Sequence, residues 1–114
     1  MQHLLKTFIL YPIILLFLFT QYALSEEITG DIEAGEEIFL ANCAACHSGG
    51  NNSVNPERTL QKEVLEKFEM KSMSAITYQV NNGKNSMPAF GDKLSDEDIK
   101  NVASYVLTKT EEGW

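Results

Sequence analysis

Asn42–Gly50 reads NCAACHSGG and holds both cysteines of this 114-residue chain, Cys43 and Cys46, beside His47, one of its two histidines. On a helix these three fall at i, i+3 and i+4 and face one side. Four readings compete for them. A zinc centre needs a fourth ligand, and the other histidine, His3, lies far away in an apolar N-terminal segment. No second metal-spaced cluster makes up the difference. A thioredoxin-like dithiol opens a helix after a strand, whereas this pair falls late in its helix. A Cys43–Cys46 disulfide closes too small a loop to stabilise much, and it leaves His47 idle. The fourth reading uses all three residues. Both thiols add across the vinyl groups of a haem and the imidazole becomes the proximal iron ligand, which is the c-type attachment signature.

An iron held this way needs a sixth ligand. Beyond the N-terminal segment the chain offers Met70, Met73 and Met87. Met70 and Met73 stand near a helix junction and read as apolar packing. Met87 stands in a loop before Pro88, which restricts its backbone, and is the expected ligand. A thioether is soft and neutral and favours ferrous iron, so His/Met ligation raises the reduction potential. It also fills the coordination sphere. The expected task is therefore moving one electron without bond chemistry. A haem enzyme such as a peroxidase is the rival, and no distal histidine or arginine motif supports it.

Working outward, the chain reads as all-α. "DIEAGEEIFLANCAACH" (31–47) predicts a helix with Asp31 as N-cap and acids in its first turns. Ile32, Gly35 and Phe39 share a face, and the glycine in that stripe predicts close approach of another helix. Ser48–Thr59 is a Gly/Asn/Pro loop. Leu60–Phe68 predicts a short helix, and another runs from about Ser74 to a stop at Gly83. Gly83–Leu94 is again loop. Ser95 then caps a helix whose Ile99, Val102, Ala103, Val106 and Leu107 form the apolar stripe.

Upstream, Met1–Ser25 has a polar start with Lys6, an apolar run "FILYPIILLFLF" (8–19) and small residues at Ala23 and Ser25. That order predicts a signal peptide, 1–25, preceding a single domain at 26–114. A membrane anchor is the alternative, weakened by the short run and Pro12. Removing Lys6 with the leader leaves eight basic residues against sixteen acids, a net charge of −8 with histidine neutral. Such a surface argues against nucleic acid or an anionic membrane as partner. The 89 residues that remain bury a modest core, so a cofactor is expected to complete it.

Three segments carry a resemblance: "GEEIFLANCAACHSGGNN" (35–52), "AITYQVNNGKNSMPAFGDKL" (75–94) and "DEDIKNVASYVL" (96–107). Together they resemble the class I cytochromes c and, within them, the cytochrome c6 family of algae and cyanobacteria. The resemblance implies a small all-α fold of three to four helices around one haem c, with Cys43 and Cys46 as thioether anchors and His47 and Met87 as axial ligands. Gly35, Phe39 and Tyr105 match the contact of first and last helices in such folds, and Gln79 matches a haem-side residue. The implied function is a soluble, monomeric carrier that is not an enzyme. It takes electrons from the cytochrome b6f complex to photosystem I in the thylakoid lumen. A periplasmic cytochrome c feeding a respiratory oxidase is the alternative. Lys93 stands where many members carry arginine near the haem edge, which keeps the positive charge. With Lys84 it is expected to mark the partner-docking side of an otherwise acidic protein.

Overall fold

The computed structural model describes residues 2–22 and 28–114. The expected leader cut after Ser25, with its small residues Ala23 and Ser25, lies outside the described residues. Helix α1 spans Gln2–Tyr22 and contains Pro12. Its apolar side chains between Leu4 and Leu16 are exposed, Phe8 and Leu16 among them. Among the described residues no helix is long and apolar enough to cross a membrane.

The domain itself is helical, and among the described residues the only β pairing is the isolated bridge between Lys84 and Met87. Helix α2, Ile32–Asn42, starts where Asp31 accepts a hydrogen bond from the Ala34 amide at 3.1 Å. The predicted helix does not run unbroken to His47. Cys43, at φ −116° and ψ −32°, divides it from a single turn, α3, Ala44–His47. The Cys43 amide still reaches the Phe39 carbonyl at 2.8 Å, so the break is a kink and not a reversal. The Cys43 carbonyl then accepts from both Cys46 and His47, at 3.1 and 2.9 Å. The i, i+3, i+4 relation of the motif survives the kink.

A 3-10 turn, Ser48–Gly50, leads into the long loop. Helix α4 covers Lys62–Lys67, two residues short of the predicted start. Leu60 is otherwise engaged: its amide donates to the Gly50 carbonyl, and its own carbonyl accepts from Thr110 and Trp114. Helix α5, Met73–Asn82, is capped by Ser72, which accepts from the Ala75 amide, and ends at Gly83. Helix α6, Asp96–Glu112, opens with a capping box between Ser95 and Asp98. Both arms are present, at 3.1 and 3.2 Å, and a cap of this kind contributes about 1 kcal/mol.

The core forms where α6 crosses α2 and α5. Ile99, Val102 and Ala103 of α6 are essentially inaccessible, and Phe39 of α2 and Ile76 and Val80 of α5 pack around them. Gly35 sets the α2–α6 distance, because a Cβ there would meet the Asn101 carbonyl and stand 2.8 Å from the Tyr105 Cβ. Phe39 and Tyr105 lie with ring centroids 5.2 Å apart. The glycine in the apolar stripe thus marks the close approach its position predicts.

Candidate functional site

Between α2–α3, α4, α5 and the loop before α6 lies a cavity of about 580 Å³. Its walls are mainly apolar, with Phe39, Leu65, Ile76, Val80, Phe90 and Val102 among them. Cys43, Cys46, His47, Gln79, Lys84 and Met87 all line it as well. Of the expected site residues, Lys93 alone is not in the lining. Its ammonium lies 5.7 Å from the ring centroid of Phe90, which is itself a wall residue.

Each chemical group is held by its neighbours. The His47 ring nitrogen Nδ1 lies 2.9 Å from the Asn51 carbonyl. A carbonyl only accepts, so Nδ1 carries the proton and Nε2 keeps its lone pair for a metal. Met87 sits at the end of a tight turn in which it and Lys84 exchange two main-chain hydrogen bonds, each 3.0 Å. The Gln79 amide donates to the Met87 sulfur at 3.6 Å, so glutamine and thioether are direct neighbours. Met73 packs in the core away from the cavity, where Ser104 donates to its sulfur at 3.6 Å. Met70 does line the cavity, closer to the site than its reading as plain packing implies.

Both thiols are unbridged; Cys43 is half-buried and Cys46 exposed. Burial pushes the Cys43 thiol up to about 11, which disfavours the free thiolate that a redox dithiol needs at neutral pH. Among the described residues no group of three or more His, Cys, Asp or Glu converges on a metal position. The donor set instead fits a c-type haem. It combines an apolar cavity, two thiols and an adjacent imidazole with its Nε2 lone pair available, and a thioether in the same cavity.

Two residues escaped the sequence reading. Arg58 lines the cavity with its guanidinium 3.5 Å from the ring centroid of Phe68. Trp114, the last residue, packs with its ring centroid 5.3 Å from that of Phe39. The chain's single arginine, placed at a loop–helix boundary, was the available hint for the first. Nothing local pointed to the second.

A family model described as cytochrome C oxidase, cbb3-type, subunit III matches residues 30–106. Cytochrome c6 of Bumilleriopsis filiformis is 66% identical over 84 residues, covering 74% of this chain and 98% of that protein. This chain belongs to the cytochrome c6 family. Cytochrome c6 of Porphyra purpurea is 56% identical over 96 residues, 84% of each chain. The crystal structure of cytochrome c6 from the diatom Phaeodactylum tricornutum superposes with a TM-score of 0.73 at 56% identity. It covers 75% of this chain and 100% of that one. The fold is therefore that of a class I cytochrome c6, as the three quoted segments led us to expect. The protein is an electron carrier of the cytochrome c6 type, and its cofactor is covalently attached haem c.

Proposed function

We propose that this protein carries single electrons from the cytochrome b6f complex to photosystem I in the thylakoid lumen. Residues 1–25 direct export and are removed, and 26–114 act as a monomeric carrier. Cys43 and Cys46 form the thioether links, and His47 and Met87 are the axial ligands. The observation that carries this reading is the His47 Nδ1–Asn51 carbonyl bond, 2.9 Å, in the cavity that Met87 also lines. It leaves the Nε2 lone pair available to a metal, which supports His47 as one ligand and the neutral thioether of Met87 as the other. When bound, the haem supplies the one-electron couple. The chain's own residues hold it, exclude water from most of its surface and keep both axial positions filled. With both positions filled the iron has no place for substrate, which supports a carrier and not an enzyme. Lys84, at the cavity rim, and Lys93, over Phe90, supply positive charge where an acidic protein meets its partners.

Photosystem I reduction by the purified holoprotein after a laser flash tests the acceptor. A fast phase proportional to protein concentration is expected. A rate no higher than that of a non-photosynthetic cytochrome c would remove photosystem I as partner. The oxidase-subunit family match favours a second reading, with a respiratory oxidase as acceptor in a bacterial periplasm. Oxygen consumption driven by the reduced protein on an oxidase preparation separates the two. Carbon monoxide tests the filled sixth position, since the reduced protein is expected to resist it at neutral pH.

A further inference from the structure

The indole of Trp114 lies one residue away from the group that orients His47. Helix α6 ends at Gly113, whose φ of 92° turns the chain back toward the body. The Trp114 Nε1–H donates to the Leu60 carbonyl at 3.0 Å. That same carbonyl accepts from Thr110 at 3.0 Å, and the Leu60 amide donates to the Gly50 carbonyl at 2.8 Å. The ring itself fills the space where a Gly50 side chain would stand, so a Cβ there would collide with the indole Cγ. Gly50 is buried with φ of 75°, a conformation L side chains rarely adopt. The next residue is Asn51, whose carbonyl receives the His47 Nδ1 proton. Phe39 and Tyr105 fix the indole from behind, with centroids at 5.3 and 6.1 Å.

We propose that Trp114 is a positioning residue for the proximal histidine. By clamping Gly50 and Leu60, its ring fixes where the Asn51 carbonyl stands and so sets how strongly His47 Nδ1–H is bound. A well-bound Nδ1 proton makes the imidazole a better electron donor to the metal, which favours ferric iron and holds the potential down. Loosening the clamp weakens that bond and moves the potential up. The proposal rests on His47 being an iron ligand, the reading given above.

The test is made on the mature holoprotein. Trp114→Ala is expected to raise the midpoint potential and to shift the His47 Nδ1 proton resonance of the reduced form upfield, as a weaker hydrogen bond does. Trp114→Phe keeps a ring over Gly50 and is expected to recover most of both shifts. If Trp114→Ala gives no folded holoprotein, Trp114→Leu makes the same comparison with Trp114→Phe. Ile99→Ala, in the core and outside the cavity lining, supplies a destabilised control whose potential is expected not to move. An unmoved potential in the Trp114 variants, with only a lower melting temperature, would leave Trp114 a packing residue and overturn the proposal. So would equal shifts in Trp114→Ala and Trp114→Phe, or in Ile99→Ala. Failure of the underlying reading looks different. In that case the His47 ring protons of the wild type itself lack the large ring-current shift of an iron ligand, before any variant is compared.

Discussion

Gly35 and Asn101 meet backbone to backbone: the space a Gly35 side chain would need is taken by the Asn101 carbonyl, whose carbon stands 2.7 Å from an ideal Cβ. The same asparagine uses its side-chain oxygen to accept the Asp31 amide at 2.9 Å, so α2 is tied to α6 at its first turn as well as its second. Gly35→Ala therefore forces the helices apart. The expected loss is about 1–3 kcal/mol or more, read from denaturant titration of the holoprotein. A change within a few tenths of a kcal/mol would mean that the crossing tolerates a methyl group.

Met87→Ala is expected to abolish the sulfur–iron charge-transfer band near the red end of the visible spectrum and to lower the potential, because the thioether is lost. Met70 lines the same cavity, so Met70→Ala is the necessary companion. Retention of the band in Met87→Ala together with its loss in Met70→Ala would reassign the ligand.

The cavity of about 580 Å³ lies beneath side chains that also form the core, among them Phe39, Leu65 and Val80. Without haem those side chains face water, and a domain this small has little apolar surface in reserve. The Cys43→Ala, Cys46→Ala double variant, expressed without attached haem, is expected to lack cooperative melting and much of its helical circular dichroism. A sharp melt with native helicity in the haem-free form is the contrary outcome.

Steering by a few lysines changes association rate and fades as salt shortens the Debye length below roughly 10 Å. Lys84 lines the cavity rim and Lys93 lies outside it. Lys84→Glu is thus expected to slow photosystem I reduction at low ionic strength more than Lys93→Glu does. Both differences from the wild type should narrow at high salt, with potentials unchanged. Slowing that persists at every salt concentration would indicate a lost short-range contact in place of steering.

Lys71 bridges two helices by pairing with Glu66 at 3.1 Å and Glu111 at 2.9 Å, and Lys62 joins Glu111 at 3.0 Å. Hydrogen bonds from Lys71 and Lys62 hold the Glu111 carboxyl below its ordinary value of 4.5, and the bonds of Lys71 to Glu111 and Glu66 raise Lys71 above 10.5. Glu111, with its folded value depressed, stabilises above pH 4.5, and that contribution disappears as pH falls through the folded value. Lys71, with its folded value raised, stabilises below pH 10.5 and loses its contribution above it. Glu111→Gln is accordingly expected to flatten the acid limb of a melting temperature–pH profile while leaving the slope between pH 6 and 8 unchanged. These groups are exposed, so the effect is small and is expected to shrink further in high salt.

The parts of the fold written in local chemistry were legible in the sequence. Ser95 with Asp98, Asp31 and the stop at Gly83 announce themselves by residue type, and the apolar stripe of α6 by its period. Gly35 was legible because a glycine inside such a stripe leaves a gap that only a closely approaching helix can fill. The kink at Cys43 was not, since cysteine between asparagine and alanine carries no break signal and the i−4 hydrogen bond continues through it. The late start of α4 was hidden for a different reason: it depends on what Thr110 and Trp114 do to Leu60, fifty or more residues away in sequence. The site divides the same way. The motif displays Cys43, Cys46 and His47, whereas the acceptor that fixes the imidazole is the main-chain carbonyl of Asn51. A backbone carbonyl has no residue signature. Nothing in the sequence around Lys93, close as it is to Met87, shows that it lies against Phe90 and outside the cavity lining.

The Met87 turn has a consequence for the speed of electron transfer. Met87 is held to Lys84 by two main-chain hydrogen bonds, and the His47 ring is held by Asn51, so both proposed ligands are anchored by the polypeptide. The Met87 anchor is main chain alone, with no group whose bonding depends on the charge of the iron. With a haem bound, the two proposed ligands would have little room to move when its charge changes, and a low-dielectric wall with fixed dipoles would have little to reorient. The reorganisation energy would then stay small, and the transfer rate would be left to distance and driving force. A carrier of this kind is ready for the second partner in the geometry in which it left the first.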